Sequence, residues 1–478
     1  MSTPDRVQQR NLVLLWASQF INTAGLMMLV PIMPFYVQGM GVRGTAEIQT
    51  WAGVAIAAPA LALTVATPLW GRLGDRIGRH WMVVRALVGL ALSMLVMAVA
   101  GNPIMLVVGR LLQGSLGGVV EATQAFAGAA GPGNKRGSAL GKSFSATAAG
   151  SLTGPVLGGA LIGAGQLTVL MIAIAVIAAL LAGACALGLR DPHAGQSEPT
   201  PKRRATTPHG RSRPAGFWEV PGAAPLAVAA VAAYFGVYGL IPVFAEHVQQ
   251  GFPPGQAGLW VGIFQSLTWA ATLIASFWWG RHNDRAQQPV RALAIAAAVC
   301  AVSIAAQALP LGMAGLVVLR LAQGASFAAL AQSLFFHFSR HAPEERRSGY
   351  VAMANSFLLA GQSAGPLLAG PMAIVLPTPA SIALMGTVCA VASLCCLRAL
   401  RNEHAHRHRD EARPHHRDQP EIRCRMSSEL EPPAARTLPL HPLPRTLSGQ
   451  LPSPTQPAST AHRAERTFAT HPDPGNRA

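Results

Sequence analysis

Apolar residues fill long stretches of this chain, and polar residues are gathered into the gaps between them. Twelve stretches come close to the roughly 20 residues that a helix needs to cross a bilayer. They are Asn11–Val37, Gln49–Trp70, Trp81–Ala100, Pro103–Phe126, Ser138–Gly163, Gln166–Leu189, Pro221–His247, Gln256–Gly280, Pro289–Leu309, Leu311–Phe336, Ser348–Val375 and Pro379–Leu397. The pattern predicts an all-α integral membrane protein with twelve transmembrane helices and both termini on one side. The first stretch is too long for a signal peptide and no small-residue cleavage site follows it, so it reads as a retained helix.

The pattern also repeats. WGRLGDR (Trp70–Arg76) returns as WGRHNDR (Trp279–Arg285), GRLLQG (Gly109–Gly114) as LRLAQG (Leu319–Gly324), and GSLTGPVLGG (Gly150–Gly159) as GQSAGPLLAG (Gly361–Gly370). The offsets are 209, 210 and 211 residues. So small a drift over three patches predicts two six-helix repeats, an N-terminal bundle over 1–189 and a C-terminal bundle over 221–398. Parallel repeats joined by a central loop are a transporter plan, with the substrate site between the repeats near the midplane.

Charge orients this arrangement. One alternate set of connections carries Arg72, Arg76, Arg79, Lys135, Arg136, Lys202, Arg203, Arg204, Arg211, Arg213, Arg281, Arg285, Arg340, Arg346 and Arg347, whereas the other carries only Arg43. Basic residues mark the cytoplasmic side, which puts both termini in the cytoplasm. The same loops account for most of the formal net charge of +17. Spread over short membrane loops without an aromatic platform, that charge does not point to nucleic acid. Only 12% of residues are charged, against about 25% in soluble domains.

Between the bundles, 190–220 is polar and basic and reads as a cytoplasmic linker. Residues 399–478 are rich in Arg, Pro and His and lack an apolar run, so they read as a disordered cytoplasmic tail. HAHRHRD and PHHRD there could hold a metal ion loosely, or belong to a merely solvated tail; a shifted reading frame would leave the same composition. The six cysteines have no metal-ligand spacing and read as small apolar residues. Neither a metal site nor a cofactor motif is expected, and since no phosphate-binding loop accompanies the helices, direct drive by ATP is not expected either.

Candidate chemistry sits in three patches. In GRLGDRIGRH (Gly71–His80) the glycines permit a tight turn, and Asp75 near a helix start is favoured by the exposed N–H groups. Basic neighbours could pair with Asp75 and release it as the halves move, or the loop could simply set topology; the second copy, with Gly280, Asp284 and Arg285, favours the gate. In GRLLQGSLGGVVE, Arg110 and Glu121 are eleven residues apart, roughly 20° around a helix and about 16 Å along it. Gln113, Gly114, Gly117 and Gly118 share much of that face. Charges at membrane depth mark functional sites. Ala331 stands opposite Glu121 in the second repeat, with Gln332 beside it, so the carboxylate is unpaired between the halves, as a single proton carrier would be. Glu121 could instead snorkel to the interface or pair with Lys142. In the third patch, Gly150, Gly154 and Gly158 have the small-xxx-small spacing that brings two helix backbones together, and Pro155 permits a bend.

These patches resemble signatures of the major facilitator superfamily. Gly71, Leu73, Asp75, Arg76, Gly78 and Arg79 match the loop between helices 2 and 3, whose second copy has Gln287 in place of Gly78. Gly150, Gly154, Pro155, Gly158 and Gly159 match the antiporter motif of helix 5, and LVPIMPFY (Leu29–Tyr36) resembles the outer end of helix 1 in the drug–proton antiporters. The resemblance, over about residues 10–398, implies the twelve-helix major facilitator fold. It further implies export of drugs or siderophore-like metabolites by proton antiport, with Arg110 assisting proton transfer. Gln19 and Asn22 stand where several relatives carry an acid in helix 1, which leaves Glu121 as the main proton site. A cavity between the halves would draw on Gln19, Asn22, Gln113, Tyr234, Tyr238, Gln265, Trp269, Gln332 and Asn355. With few carboxylates and an arginine available, it would suit an anionic or polar cargo at least as well as a cationic drug. The expected partners are a small-molecule substrate, protons and the lipid bilayer, and the protein is expected to act as a monomer. The alternatives are a proton-coupled uptake symporter, a polytopic membrane enzyme, for which no polar cluster at one depth is found, and a receptor built on the same fold.

Overall fold

In the first hydrophobic stretch, Pro31 and Pro34 divide what the apolar pattern reads as one helix. Proline supplies no N–H to the helical ladder, and the chain answers with α1 (Thr3–Leu29), a turn, and the short α2 (Met33–Gly39). The computed structural model describes residues 3–77, 79–119, 136–189, 217–253, 255–343 and 347–411. The first half continues with α3 (Thr45–Ile77), α4 (Arg79–Ala98), α5 (Pro103–Ser115), α6 (Arg136–Gly163) and α7 (Leu167–Gly188). A 3₁₀ turn at Phe217–Glu219 leads into the second half: α8 (Ala223–Gly251), α9 (Ala257–Ala286), α10 (Pro289–Ala306), α11 (Gly312–His341), α12 (Arg347–Val375) and α13 (Thr378–Glu411). Apart from the short α2, the twelve helices among the described residues form two six-helix repeats, and no strand occurs among those residues. Ten are long and apolar enough to cross a membrane; the others are α5, which is short, and α6, rich in Gly, Ser and Thr.

Helix ends follow local chemistry. Asn102 caps α5 by accepting from the Met105 N–H at 2.9 Å, with Pro103 pre-set for the first turn. At the far end of α5 the prediction needs correction. Instead of running to Phe126, the helix stops at Ser115, because Gly117 and Gly118 follow and Gly118 takes φ +93. Gly117 and Gly118 therefore leave the helix face that Arg110 and Gln113 share. The expected tight turn at Gly71–His80 is likewise mostly helical, since α3 continues to Ile77 and α4 begins at Arg79. In the second copy Gln287 ends α9 in the left-handed region, φ 53, and Arg340 holds it by donating to its carbonyl at 3.2 Å and its side-chain oxygen at 3.0 Å. α13 runs past Leu397 to Glu411, because Arg398–Glu411 contains neither Gly nor Pro to stop it.

Packing differs from that of a water-soluble bundle on the outside. The interior of each half is filled by apolar side chains, Met28, Leu87, Met94 and Ile174 in the first and Ala296, Ala297, Leu334 and Phe338 in the second. The outer faces are apolar too: Val65, Leu180, Ile274, Phe277 and Val302 are exposed, as suits contact with lipid. The repeats agree in detail. Trp70 Nε1 donates to the Ser115 carbonyl at 2.6 Å, and Trp279 Nε1 donates to the Ala325 carbonyl at 2.8 Å.

Candidate functional site

The GSLTGPVLGG segment packs on two sides at once. A Cβ at Gly150, Gly154 or Gly158 would strike the carbonyls of Phe20, Ala24 and Met28 in α1, so this stripe lets α6 lie against α1 within its own half. Gly159 instead meets Gly258 of α9, and the Pro155 carbonyl lies against Gly262, both across the seam to the second half. The counterpart segment in α12 repeats the arrangement: Gly361 and Gly365 pack on Val231 and Phe235 of α8, and the Pro366 carbonyl lies against Gly53 of α3. Two helix pairs, α6 with α9 and α3 with α12, therefore join the halves.

These joints lie toward the end where α8 turns into α9. Gln49 of α3 donates to the Glu246 carboxylate of α8 across the same end, and Thr45 and Thr378 also hydrogen-bond to Glu246. Gln249 donates to Gln38 at 3.3 Å, and Ser266 donates to the Leu152 carbonyl at 2.7 Å.

Beyond this sealed end the halves enclose a cavity. Its polar lining includes Asn22, Arg110, Gln113, Tyr238, Gln265, Thr268, Trp269, Thr272, Arg320, Gln323 and Gln362. No carboxylate occurs among the described lining residues. Arg110 and Arg320 are 1% and 2% exposed. Burying an ion costs several kcal/mol before partners compensate, so how each arginine is satisfied decides what it can do.

The two are satisfied differently, and one proline explains why. Pro59 in α3 has no N–H to give the Ala55 carbonyl; Arg110 Nε donates to that carbonyl instead, at 2.9 Å, and Arg110 Nη1 donates to Gln113 at 2.6 Å. The position equivalent to Pro59 in the second half is Thr268, and the carbonyl of Phe264, equivalent to Ala55, accepts from the Thr268 hydroxyl at 2.9 Å. Arg320 is left with Gln323 at 3.3 Å and the face of Phe244 at 3.4 Å, and its Nε is buried without a hydrogen-bond partner. Gln323 also accepts from Gln307 at 3.0 Å. Gln113 Nε2 and Trp269 Nε1 are buried and unpartnered as well.

Asn22, Gln113, Tyr238, Gln265 and Trp269, proposed as cavity residues from the sequence, come together in this lining. Gln19, Tyr234, Gln332 and Asn355 are not among its described residues. Gln19 is fully buried in α1, Tyr234 stacks on Tyr238 at 5.5 Å, Gln332 is half-buried in α11, and Asn355 is exposed on α12. Arg320, Gln323, Thr268 and Phe327 were missed, although the repeat of GRLLQG as LRLAQG already set Arg320 and Gln323 in register with Arg110 and Gln113. Gly78 and Glu121 lie outside the described residues, as do the side-chain surroundings of Gly71, Asp75, Arg76 and Arg79. Asp284 is exposed near the end of α9, and its carbonyl accepts from Gln287 at 2.7 Å.

Comparison with known proteins gives consistent results. The family model described as Major Facilitator Superfamily matches residues 15–315 and 226–457. A staphyloferrin B transporter of Staphylococcus aureus (strain NCTC 8325 / PS 47) is 35% identical over 397 residues, covering 81% of this chain and 92% of that protein. Multidrug resistance protein MdtG of Escherichia coli (strain 55989 / EAEC) is 35% identical over 153 residues, 32% of this chain and 38% of MdtG. Among solved structures, a bacterial homologue of the human lysosomal transporter Spinster, inward-facing and occupied, superposes with a TM-score of 0.63 at 16% identity, covering 84% of this chain and 98% of that one.

Proposed function

The chain belongs to the major facilitator superfamily and is a multi-pass membrane transporter of small molecules, and from that membership we propose that it exports a siderophore-like or drug-like compound across the bacterial inner membrane in exchange for protons. The observation that carries this reading is the polar cavity between two repeats that meet at one end. The relative named as a staphyloferrin B transporter, matched over 92% of its length, supports a siderophore-like cargo, and multidrug resistance protein MdtG, matched over 38% of its length, supports a drug-like one.

The distribution of basic loops supports a cytoplasmic position for both termini and an outer position for the sealed end. On that assignment the cavity faces the cytoplasm, where cargo enters. Glu121 is the proton carrier and Arg110 tunes it. Asp75, Arg76 and Arg79, with Gly71 and Gly78 shaping the backbone and Asp284 as the second-half counterpart, hold the cytoplasmic gate. The halves rock about the cavity so that cargo and proton occupy it alternately. One chain carries all of these parts, and it works as a monomer.

The test is proton movement in inside-out vesicles energised by a proton gradient, with a panel of drugs and siderophores, comparing native protein with Glu121→Gln. Collapse of the gradient by some compound with native protein alone is the expected result. Equal collapse with the variant removes Glu121 from the mechanism. Coupling only in right-side-out vesicles reverses the direction and makes the protein an uptake symporter.

A further inference from the structure

The geometry points to a cargo with at least two oxyanionic groups, one held by Arg110 and Gln113 of the first half and the other by Arg320 and Gln323 of the second. This rests on the reading of the cavity as the cargo site. Both guanidinium groups are buried, both line the one cavity, and no described lining residue supplies a negative charge. Glu246 is hydrogen-bonded to Gln49 at the sealed end and is absent from the described lining. A cationic drug would meet two fixed positive charges here, with no carboxylate among the described lining residues to offset them.

The open hydrogen-bonding capacity has the same sign. Arg320 Nε, Gln113 Nε2 and Trp269 Nε1 are donors, and all three are buried without partners. A buried donor left unmade is costly, and an oxyanion offers several lone pairs to such donors at once. Arginine's planar fork matches carboxylate and phosphate geometry. The halves contribute unequally. The Ala55 carbonyl made available by Pro59 occupies Arg110 Nε, whereas Arg320 keeps its Nε for a ligand. Arg320 is therefore the stronger grip and Arg110 the fixed partner charge.

The probes are propane-1,2,3-tricarboxylate, its dimethyl ester and its trimethyl ester, one carbon skeleton with three, one and no negative charges, together with tetraphenylphosphonium as a cation. Binding to the purified full chain is measured by titration calorimetry, and thermal unfolding shows that each variant is folded. Affinity is expected to fall with each charge removed, at least tenfold from the tricarboxylate to the trimethyl ester. Arg320→Gln should weaken tricarboxylate binding at least tenfold and leave the trimethyl ester unchanged, while Arg320→Lys, which keeps the charge but loses the fork, should fall between.

The inference is overturned if the tricarboxylate does not bind, if the trimethyl ester or the cation binds as tightly, or if Arg320→Gln binds it like the native protein. The exchange mechanism fails independently. Tricarboxylate binding in a protein for which no compound moves protons overturns antiport and leaves the anion site standing; proton movement driven by cationic drugs without tricarboxylate binding does the reverse.

Discussion

Gly262 in α9 lies so close to the carbonyl of Pro155 in α6 that a side chain at residue 262 has no room, and Gly53 in α3 meets the Pro366 carbonyl of α12 in the same way. The two glycines are 209 residues apart, so one contact has been made twice. Gly262→Val should prevent the sealed end from closing. Overpacking a tight contact costs about 1–3 kcal/mol, enough to lower the ratio of closed to open molecules by about fivefold to roughly a hundredfold. The check is labelling of Ser266→Cys, a position buried beside that seam, by a membrane-impermeant maleimide. Labelling should rise strongly with Gly262→Val and with Gly53→Val; unchanged labelling would mean that the seam tolerates the added bulk.

Glu246 ties the same end together from the second half. Hydrogen bonds to charged groups contribute about 1.5–3 kcal/mol, and this carboxylate accepts from Gln49 across the seam and from Gln250 at 3.3 Å on its own helix. Glu246→Ala should therefore speed amide hydrogen exchange at the Thr45 end of α3 and the Gly251 end of α8 by an order of magnitude. Gln49→Ala should do so less, since it leaves Thr45 and Thr378 bonded to the carboxylate. Native exchange rates in Glu246→Ala would remove the clasp.

Trp70 and Trp279 provide an internal comparison. Each indole donates to the carbonyl that follows a Gln-Gly pair, and replacing the indole by phenyl leaves a carbonyl without that donor, at about 1–3 kcal/mol. Trp70 additionally carries the Arg85 guanidinium 3.9 Å above its ring, a contact of about 0.5–2 kcal/mol. Trp70→Phe should thus lower the melting temperature in detergent more than Trp279→Phe. The opposite order would show that the cation above the ring contributes little.

Within the first half, Gly154 sits against the Ala24 backbone of α1. Gly154→Leu forces α1 and α6 apart along their shared stripe, and the melting temperature should drop by several degrees. Gly183, with open space around it, is the control: Gly183→Ala should raise stability slightly, because alanine is the better helix former by about 1 kcal/mol.

Much of the fold was legible because crossing a bilayer imposes a length, and twelve apolar stretches of that length leave little freedom. The register of the repeats was legible for a related reason: a glycine that must meet a backbone carbonyl cannot drift, and so GSLTGPVLGG remained recognisable as GQSAGPLLAG. The breaks inside stretches were harder. Gly117 and Gly118 read as a packing strip on a continuous helix, and only the backbone reveals that Gly118 turns left-handed and ends it. Polar identity alone also leaves the facing of a residue undetermined. Asn22 and Gln19 are three residues apart on α1, yet only Asn22 is found in the described cavity lining. The unequal partners of Arg110 and Arg320 depend on a proline in another helix, which neither arginine motif contains.

The early end of α5 bears on how a cargo would lie. At the positions that correspond in the two repeats, the first half presents the main chain of Gly117 to the cavity and the second half presents the ring of Phe327. The arginines occupy corresponding positions of the two repeats, but the wall beside them is peptide on one flank and aromatic on the other. A molecule with two alike anionic ends and dissimilar flanks, the cargo inferred above, would then be received in a single orientation, head and tail distinguished by texture as well as by the unequal arginines.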